Sequence, residues 1–314
     1  MKNLDLVITP GDPDGIGPEV TAKAIAALST ELKGHQVVIV GPSKPFKRYK
    51  KILSTQKITF FEPPERSSPG YQAGWSIETA TQFVLAAPKS RVLVTGPISK
   101  ERLQAGGYFF KGHTDFLANL THTKNVTMML ANSIFKVTLV TNHCAISQVS
   151  AKITTKAIET TFEHSYGFAK DLLKKKRPKI AVMGLNPHSG ENGILGNEEL
   201  KTILPALVQL KKKYPDAVIT GPHSADSFFA IEAALPANKR HDVIIAMFHD
   251  QGLIPVKLMG FNESLNMTLG LPIIRTSVDH GTAFNIANKN KADPNSMIYA
   301  IRMAIQYSKT RRML

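Results

Sequence analysis

Three histidines stand where an α/β chain does its chemistry. His249 follows the apolar run Val243-Ile244-Ile245-Ala246-Met247 and Phe248, and Asp250-Gln251-Gly252 comes next. His143 closes Lys136-Val137-Thr138-Leu139-Val140 through Thr141-Asn142, and His188 follows Ile180-Ala181-Val182-Met183-Gly184 in Asn186-Pro187-His188-Ser189-Gly190-Glu191. Ligands of open α/β sheets bind outside the carboxyl ends of strands. Three neutral imidazoles can hold a divalent metal and keep positions open for substrate or water. They are too far apart in the chain to form a local signature of the HExxH kind, so each also reads, taken singly, as an ordinary loop or capping residue. Lys257, Asn266 and Arg275 follow at equal spacing. A lysine, an amide and an arginine suit a phosphate or carboxylate, although spacing alone reads more simply as three unrelated polar residues. Lys111-Gly112-His113-Thr114 is a glycine turn into a helix, where free N–H groups can hold an anion; Thr114 as a plain N-cap is the alternative.

The elements that must position these groups alternate along the chain. Strand-like runs cover residues 4–9, 37–40, 58–61, 91–95, 126–130, 135–140, 180–184, 217–220, 243–247 and 273–276. Helical periodicity covers 77–87, 155–176, 197–213, 225–234 and 294–307, and Asn132-Ser133 reads as a hairpin turn. Alternation without repeats or low-complexity segments points to a parallel or mixed α/β sheet with helices on its faces. Gly15-Ile16-Gly17 after the first strand lacks the third glycine of a dinucleotide fingerprint, so a Rossmann motif is rejected.

Across 314 residues, 43% are hydrophobic and 20% charged, an ordinary globular balance. Neither a membrane span nor a secretory leader is expected, and the lone Cys144 fits a reducing, cytoplasmic setting. The net charge of +15 raises a nucleic-acid partner, but the lysines and arginines are scattered over predicted helix ends, and no nucleic-acid-binding motif accompanies them. No nucleic acid and no membrane partner are therefore expected.

Several short blocks, in this order and spacing, carry a resemblance along nearly the whole chain. They are Gly11-Asp12-Pro13 with Gly15-Ile16-Gly17-Pro18-Glu19, Thr95-Gly96-Pro97-Ile98-Ser99-Lys100, Gly112-His113-Thr114, Gly184-Leu185-Asn186-Pro187-His188-Ser189-Gly190-Glu191, His249-Asp250-Gln251-Gly252 and Thr268-Leu269-Gly270-Leu271-Pro272 through Arg275 to Ala283. The chain thereby resembles the 4-hydroxythreonine-4-phosphate dehydrogenase family of vitamin B6 biosynthesis. That resemblance implies the α/β fold of the isocitrate and isopropylmalate dehydrogenases: two lobes, expected as 1–120 with 270–314 and as 121–269, a cleft between them, and a homodimer that shares its sites. It implies NAD- or NADP-dependent oxidation of 4-phosphooxy-L-threonine to a 3-keto acid, which decarboxylates to 3-amino-2-oxopropyl phosphate. A divalent metal (zinc, magnesium or cobalt) would be held by His143, His188 and His249. The small phosphorylated substrate would be met by His113, Thr114, Lys257, Asn266 and Arg275. Asp250 and Lys257 are candidate catalytic groups, Asp250 by orienting a ligand or water and Lys257 by relaying a proton. The His280-Gly281-Thr282-Ala283 loop resembles a cofactor loop, with Asp279, Gly281, Thr282 and Asn285 as its candidate contacts.

The chain departs from the family at Asp14, where a small residue is usual, and at Asn285-Ile286-Ala287-Asn288, where an acid first and a glycine last are usual. Asn288 is the next best residue after glycine for a left-handed backbone. Both changes fall on the cofactor side and leave NAD or NADP open. The alternative activity is a sister dehydrogenase of a phosphorylated sugar acid such as phosphothreonate or phosphoerythronate. A basic nucleic-acid-binding protein is the reading from a different class.

Overall fold

The computed structural model describes residues 4–260 and 263–311; the leading Met1-Lys2-Asn3 and Arg312 of the basic tail lie outside the described residues. The chain forms two compact units, Met1–Val126 with Asn262–Leu314, and Thr127–Phe261. The first unit begins with β1 (Asp5–Thr9), α1 (Gly17–Ala27), β2 (Gln36–Val40), the single turn α2 (Lys50–Leu53), β3 (Ile58–Phe61), α3 (Pro69–Leu85), β4 (Arg91–Thr95), α4 (Lys100–Ala105) and α5 (His113–Leu120). The second contains β5 (Thr127–Ala131), β6 (Lys136–Leu139), the turn α6 (Val149–Lys152), α7 (Thr155–Gly167), β7 (Lys179–Met183), α8 (Leu204–Lys213), β8 (Val218–His223), α9 (Ala225–Ala234), β9 (Val243–Ala246) and α10 (His249–Gly260). The chain then returns to the first unit for β10 (Leu265–Leu269), β11 (Arg275–Val278) and α11 (Asn295–Arg311).

In the first unit the strands lie in the order β3-β2-β1-β4-β11-β10, all parallel except β10, which runs antiparallel to β11. Val7, Val38 and Leu93 of the sheet meet Ile77 and Val84 of α3 and Phe116 of α5 in one core. Phe116 also stacks on Phe110, ring centroids 4.2 Å apart. Burying each such side chain stabilises by about 1.5–3 kcal/mol. This packing fixes where α5 starts, and so where His113 stands. After β1, a Cβ on Gly17 would fall inside the carbonyl oxygen of Pro10. Here glycine is required for close approach rather than for a dinucleotide.

In the second unit the order is β5-β6-β9-β7-β8, with only β5 antiparallel to its neighbour. The Asn132 carboxamide makes the β5–β6 turn expected from sequence: its Oδ1 accepts from the N–H of Ile134 and Phe135 at 2.8 and 2.7 Å. β9 is central, parallel to β6 and β7, and buried on both faces. Ile244 and Ala246 pack with Leu253 and Val256 of α10 and Phe228 of α9. Ile245 and Met247 pack with Ile158 and Phe162 of α7 and Leu207 of α8. A strand apolar on both faces reads as a continuous run, as this one does.

Several elements differ from the sequence reading: α3 begins at Pro69 rather than at 77, and α10 went unread. The helix expected over 155–176 is α7 followed by a wider turn at Phe168–Leu172, where the Leu173 N–H donates to the Phe168 carbonyl five residues back. The helix expected over 197–213 likewise begins with a wide turn at Glu199–Ile203, because Pro205 has no N–H with which to continue an α-helical ladder there. Strand β10 went unread, although Leu265, Met267 and Leu269 alternate with Asn266 and Thr268 in the strand period.

Candidate active site

Candidate residues gather at two places, one in each unit. In the second unit, β9 delivers His249 as the first residue of α10. Its Nδ1 lies 2.7 Å from Asp250 Oδ1. A carboxylate can only accept, so Nδ1 carries the proton and Nε2 keeps its lone pair. Beside it, Thr141 at the end of β6 donates from both N–H and Oγ1 to the Met247 carbonyl, at 3.1 and 2.8 Å. That double tie brings the His143 ring to 5.7 Å from the His249 ring, centroid to centroid. His143, Cys144, His249 and Asp250 line one open cavity of about 450 Å³. Gln251 connects the neighbouring strand ends: its Oε1 accepts from Met247 N–H and its Nε2 donates to the Gly184 carbonyl, both at 2.7 Å.

His188 is placed differently. It is exposed, its Nδ1 lies 4.0 Å from Asp226 Oδ2, and it lines a second cavity with Asp226, Asp250, Gln251, Ile254 and Leu258. Phe248 and Asp250 border both cavities. The donor set fits a divalent ion in kind: two imidazoles stand side by side, one with its other nitrogen on a carboxylate, the arrangement that fixes a ligating histidine's tautomer. In number it falls short. Among the described residues no three His, Cys, Asp or Glu side chains stand together as a metal site. Lys257 is half-buried on α10, two helical turns beyond His249 and just past Pro255.

The first unit holds the anion-binding candidates. Arg275 opens β11 and is 2% exposed. Its Nε and Nη2 donate to Thr95 Oγ1 at 3.1 and 2.7 Å, and its Nη1 donates to Thr268 Oγ1 at 3.1 Å. Hydroxyls do not neutralise a guanidinium, and burial lowers its pKa to about 9. The Arg275 charge also acts on His113, whose pKa is held well below the usual histidine range by burial first and by Arg275 second. His113 Nε2 and Asn266 Oδ1 are shielded from solvent without a hydrogen-bond partner. A buried cation beside two unsatisfied polar atoms is costly in an empty cluster, and an anion with hydroxyl groups would satisfy all three. Thr114 is the second residue of α5, half-buried; the cap is Gly112, which makes no side-chain cap bond, so the N-cap reading of Thr114 does not hold.

The expected cofactor loop follows β11. Asp279 is tied at both ends, its N–H donating to Ser296 Oγ at 3.1 Å and its Oδ2 accepting from Ser264 Oγ at 3.2 Å. The Thr282 carbonyl accepts from Ile16 N–H at 2.9 Å, which docks the loop on the glycine turn after β1. Gly281 has open space where a Cβ would stand. Asn285 is exposed, and Asn288 has a φ of +65°, the left-handed conformation that glycine adopts most readily and asparagine next. Asp14, the other departure, pairs with Arg102: Nη2 donates to Asp14 Oδ2 at 2.6 Å and Nη1 to Asp12 Oδ1 at 2.9 Å. The same guanidinium lies 5.2 Å over the Phe284 ring.

Sequence reasoning assigned no role to Thr95, Thr268, Asp226, Arg102 or Glu199. Thr95 and Thr268 lay inside quoted blocks, and each is a hydroxyl near the end of a strand, which was the available signal. Arg102 and Glu199 carried none, because their partners are distant in the chain.

The comparisons agree with this architecture. A family model described as "Pyridoxal phosphate biosynthetic protein PdxA" matches residues 17–304. The chain is 39% identical to a 4-hydroxythreonine-4-phosphate dehydrogenase of Desulfosudis oleivorans, over 95% of this chain and 94% of that one. It is 36% identical to a D-threonate 4-phosphate dehydrogenase of Pectobacterium atrosepticum, over 96% and 98%. A crystal structure of 4-hydroxythreonine-4-phosphate dehydrogenase from Klebsiella pneumoniae superposes with a TM-score of 0.82 at 33% identity, covering 98% of this chain and 100% of that one. An isocitrate dehydrogenase from Methylococcus capsulatus, 16% identical, gives 0.56 over 98% and 86%, and shows the shared fold expected from sequence. The chain belongs to the PdxA family of pyridoxal phosphate biosynthetic proteins.

Proposed function

We propose that this protein is a dehydrogenase that oxidises 4-hydroxythreonine 4-phosphate with NAD or NADP, giving a 3-keto acid that loses carbon dioxide to leave 3-amino-2-oxopropyl phosphate. The observation that carries this reading is the buried Arg275, held by the Thr95 and Thr268 hydroxyls, with the unsatisfied His113 beside it and the unsatisfied Asn266 on the paired strand. Such a group recognises a phosphate or carboxylate by charge-assisted hydrogen bonds. Neutral His113 can accept a proton from a substrate hydroxyl or donate one from its other nitrogen. Thr114, at the free N–H end of α5, adds a hydroxyl to the same anion. Lys257 binds an anionic group or relays a proton. The family's names support a dehydrogenase.

His143, His249 and His188 would hold a divalent ion such as zinc, magnesium or cobalt, which when bound supplies Lewis acidity at the hydroxyl to be oxidised. Asp250 keeps His249 in the ligating tautomer. Asp279, Gly281, Thr282 and Asn285 are the proposed contacts of the nicotinamide cofactor, which when bound accepts the hydride. The chain would work as a homodimer sharing its sites, so that a second copy completes the ligand set. Exposed Ile146, Ile254 and Leu258, which border the two histidine cavities, support that cover. Among the described residues no helix is long and apolar enough to cross a membrane, in keeping with a proposed place in the cytoplasm.

A second reading is oxidation of threonate 4-phosphate, favoured by the near-equal match to a relative of that name. The two substrates differ by an amine or a hydroxyl at one carbon. Steady-state reduction of NAD and NADP with each substrate separates them: the proposal requires the higher kcat/KM on the amino acid. A higher value on threonate 4-phosphate supports the second reading, and no reduction with either rejects both.

A further inference from the structure

We infer that Glu199 is a positioning residue for His188, an inference that rests on the reading of His188 as a metal ligand. Six consecutive residues from His188 to Gly193 have positive φ, at 50°, 52°, 81°, 42°, 56° and 97°. Four of them carry side chains, for which the left-handed region is strained. A turn of this kind persists only where its surroundings hold it.

The holder is a carboxylate. Glu199 is 2% exposed, and its Oε1 accepts from the backbone N–H of Leu185 and Asn186 at 2.7 and 2.8 Å. Its Oε2 accepts from Asn186 Nδ2 at 2.9 Å. Those donors belong to the two residues that start the turn, immediately after Gly184 at the end of β7. The carboxylate also fills the space behind Gly190: a Cβ there would stand 2.7 Å from Oε2, at a φ of +81°. A buried carboxylate without its N–H donors is costly, so the charge and the turn hold each other in place. Gln251 ties Gly184 to the strand that carries His249. Glu199 sets the path from there to His188. The adjacent Glu198 accepts from Asn186 Nδ2 and Ser150 Oγ at 2.8 and 2.6 Å, but touches neither backbone amide of the turn's start.

A merely structural role would change stability alone, so the test measures metal affinity and stability separately. Cobalt(II) is titrated into the metal-free, full-length wild-type protein and into Glu199→Ala, Glu199→Gln and His188→Ala. Calorimetry and the cobalt visible absorption report binding, and the Tm of each metal-free protein is recorded. Glu199→Ala should weaken binding by about 10–100-fold, the range for outer partners of ligating groups, with a changed cobalt spectrum. Glu199→Gln keeps an oxygen for the two backbone amides but sets an NH2 against Asn186 Nδ2, so its affinity should fall between wild type and Glu199→Ala. Should Glu199→Ala fail to fold, Glu199→Gln decides: weakened binding supports the proposal, and wild-type affinity overturns it. If both Glu199 variants lower Tm yet bind cobalt like wild type while His188→Ala binds poorly, the ligand reading stands and the positioning role is wrong. Wild-type affinity in His188→Ala removes the ligand reading, and the positioning role with it.

Discussion

The Arg275 cluster and the His143–His249 pair answer opposite problems. Arg275 is buried and clasped by the neutral hydroxyls of Thr95 and Thr268 from neighbouring strands, with no salt bridge among the described residues. The scaffold bears the cost of that buried charge, which a bound anion would offset. The two imidazoles are far more open to solvent, and one carboxylate, Asp250, orients His249. Their cost is small, but so is what they can hold by themselves. The Arg275 cluster lies within the first unit, whereas among the described residues no three His, Cys, Asp or Glu side chains gather as a metal site.

The largest effect should come from breaking the buried side. Arg275→Met removes the charge at similar volume, and turnover on the phosphorylated substrate should fall by about 10–100-fold or more, since hydrogen bonds to charged groups contribute roughly 1.5–3 kcal/mol each. The free protein should be no less stable, because replacing a buried unpaired charge by an apolar group removes its desolvation cost. Steady-state kinetics and a thermal melt check both halves. A strong loss of Tm would mean that Arg275 serves the fold and not a ligand.

The open side should respond through affinity instead. Asp250→Asn leaves the fold intact but loosens the His249 tautomer, and should weaken divalent-metal binding by about 10–100-fold. His143→Ala and His249→Ala should weaken it at least as much. Calorimetric titration of the metal-free protein reads this directly, and unchanged affinity in all three variants would remove the pair from the metal site.

A pH scan distinguishes the two regions further. His113 has a folded pKa below its unfolded value near 6.5, so between the two the unfolded chain binds more protons. Its contribution to stability is full above the unfolded value and is lost as pH falls through the folded one. The wild-type Tm should therefore drop more steeply below pH 6.5 than that of His113→Asn. Parallel curves would show that His113 does not titrate this way. The smallest effect belongs to Asp14→Ala: its ion pair with Arg102 is partly exposed, and such pairs are worth about 0.2–1 kcal/mol. Denaturant unfolding should show a change within that range, and a larger loss would mark Asp14 as part of a stronger network with Asp12.

Sequence made the fold class legible because β9 is an unbroken apolar run and the helices between the strands keep their period. The three histidines were legible as strand-end residues, and the family's motifs supplied their proposed roles. What sequence could not show was that two of the rings meet while His188 faces Asp226, since that depends on ties such as Thr141 to Met247 across neighbouring strands. Nor could it show Thr95 and Thr268 closing on Arg275, one of them far away in the chain. Strand β10 was readable in principle; its alternation was hidden by the polar residues that face the cluster.

Oxidation of a phosphorylated hydroxy acid is tested most directly by one reaction with two readouts. The purified protein, NAD or NADP and a divalent metal are mixed with carboxyl-labelled 4-hydroxythreonine 4-phosphate, and reduced cofactor and labelled carbon dioxide are followed together, beside the same substrate lacking its phosphate. The expected result is matching, metal-dependent yields of both products, with kcat/KM at least about tenfold lower without the phosphate. Equal rates with and without the phosphate, or no reduction of either cofactor, would contradict the role given to Arg275 and the activity built on it.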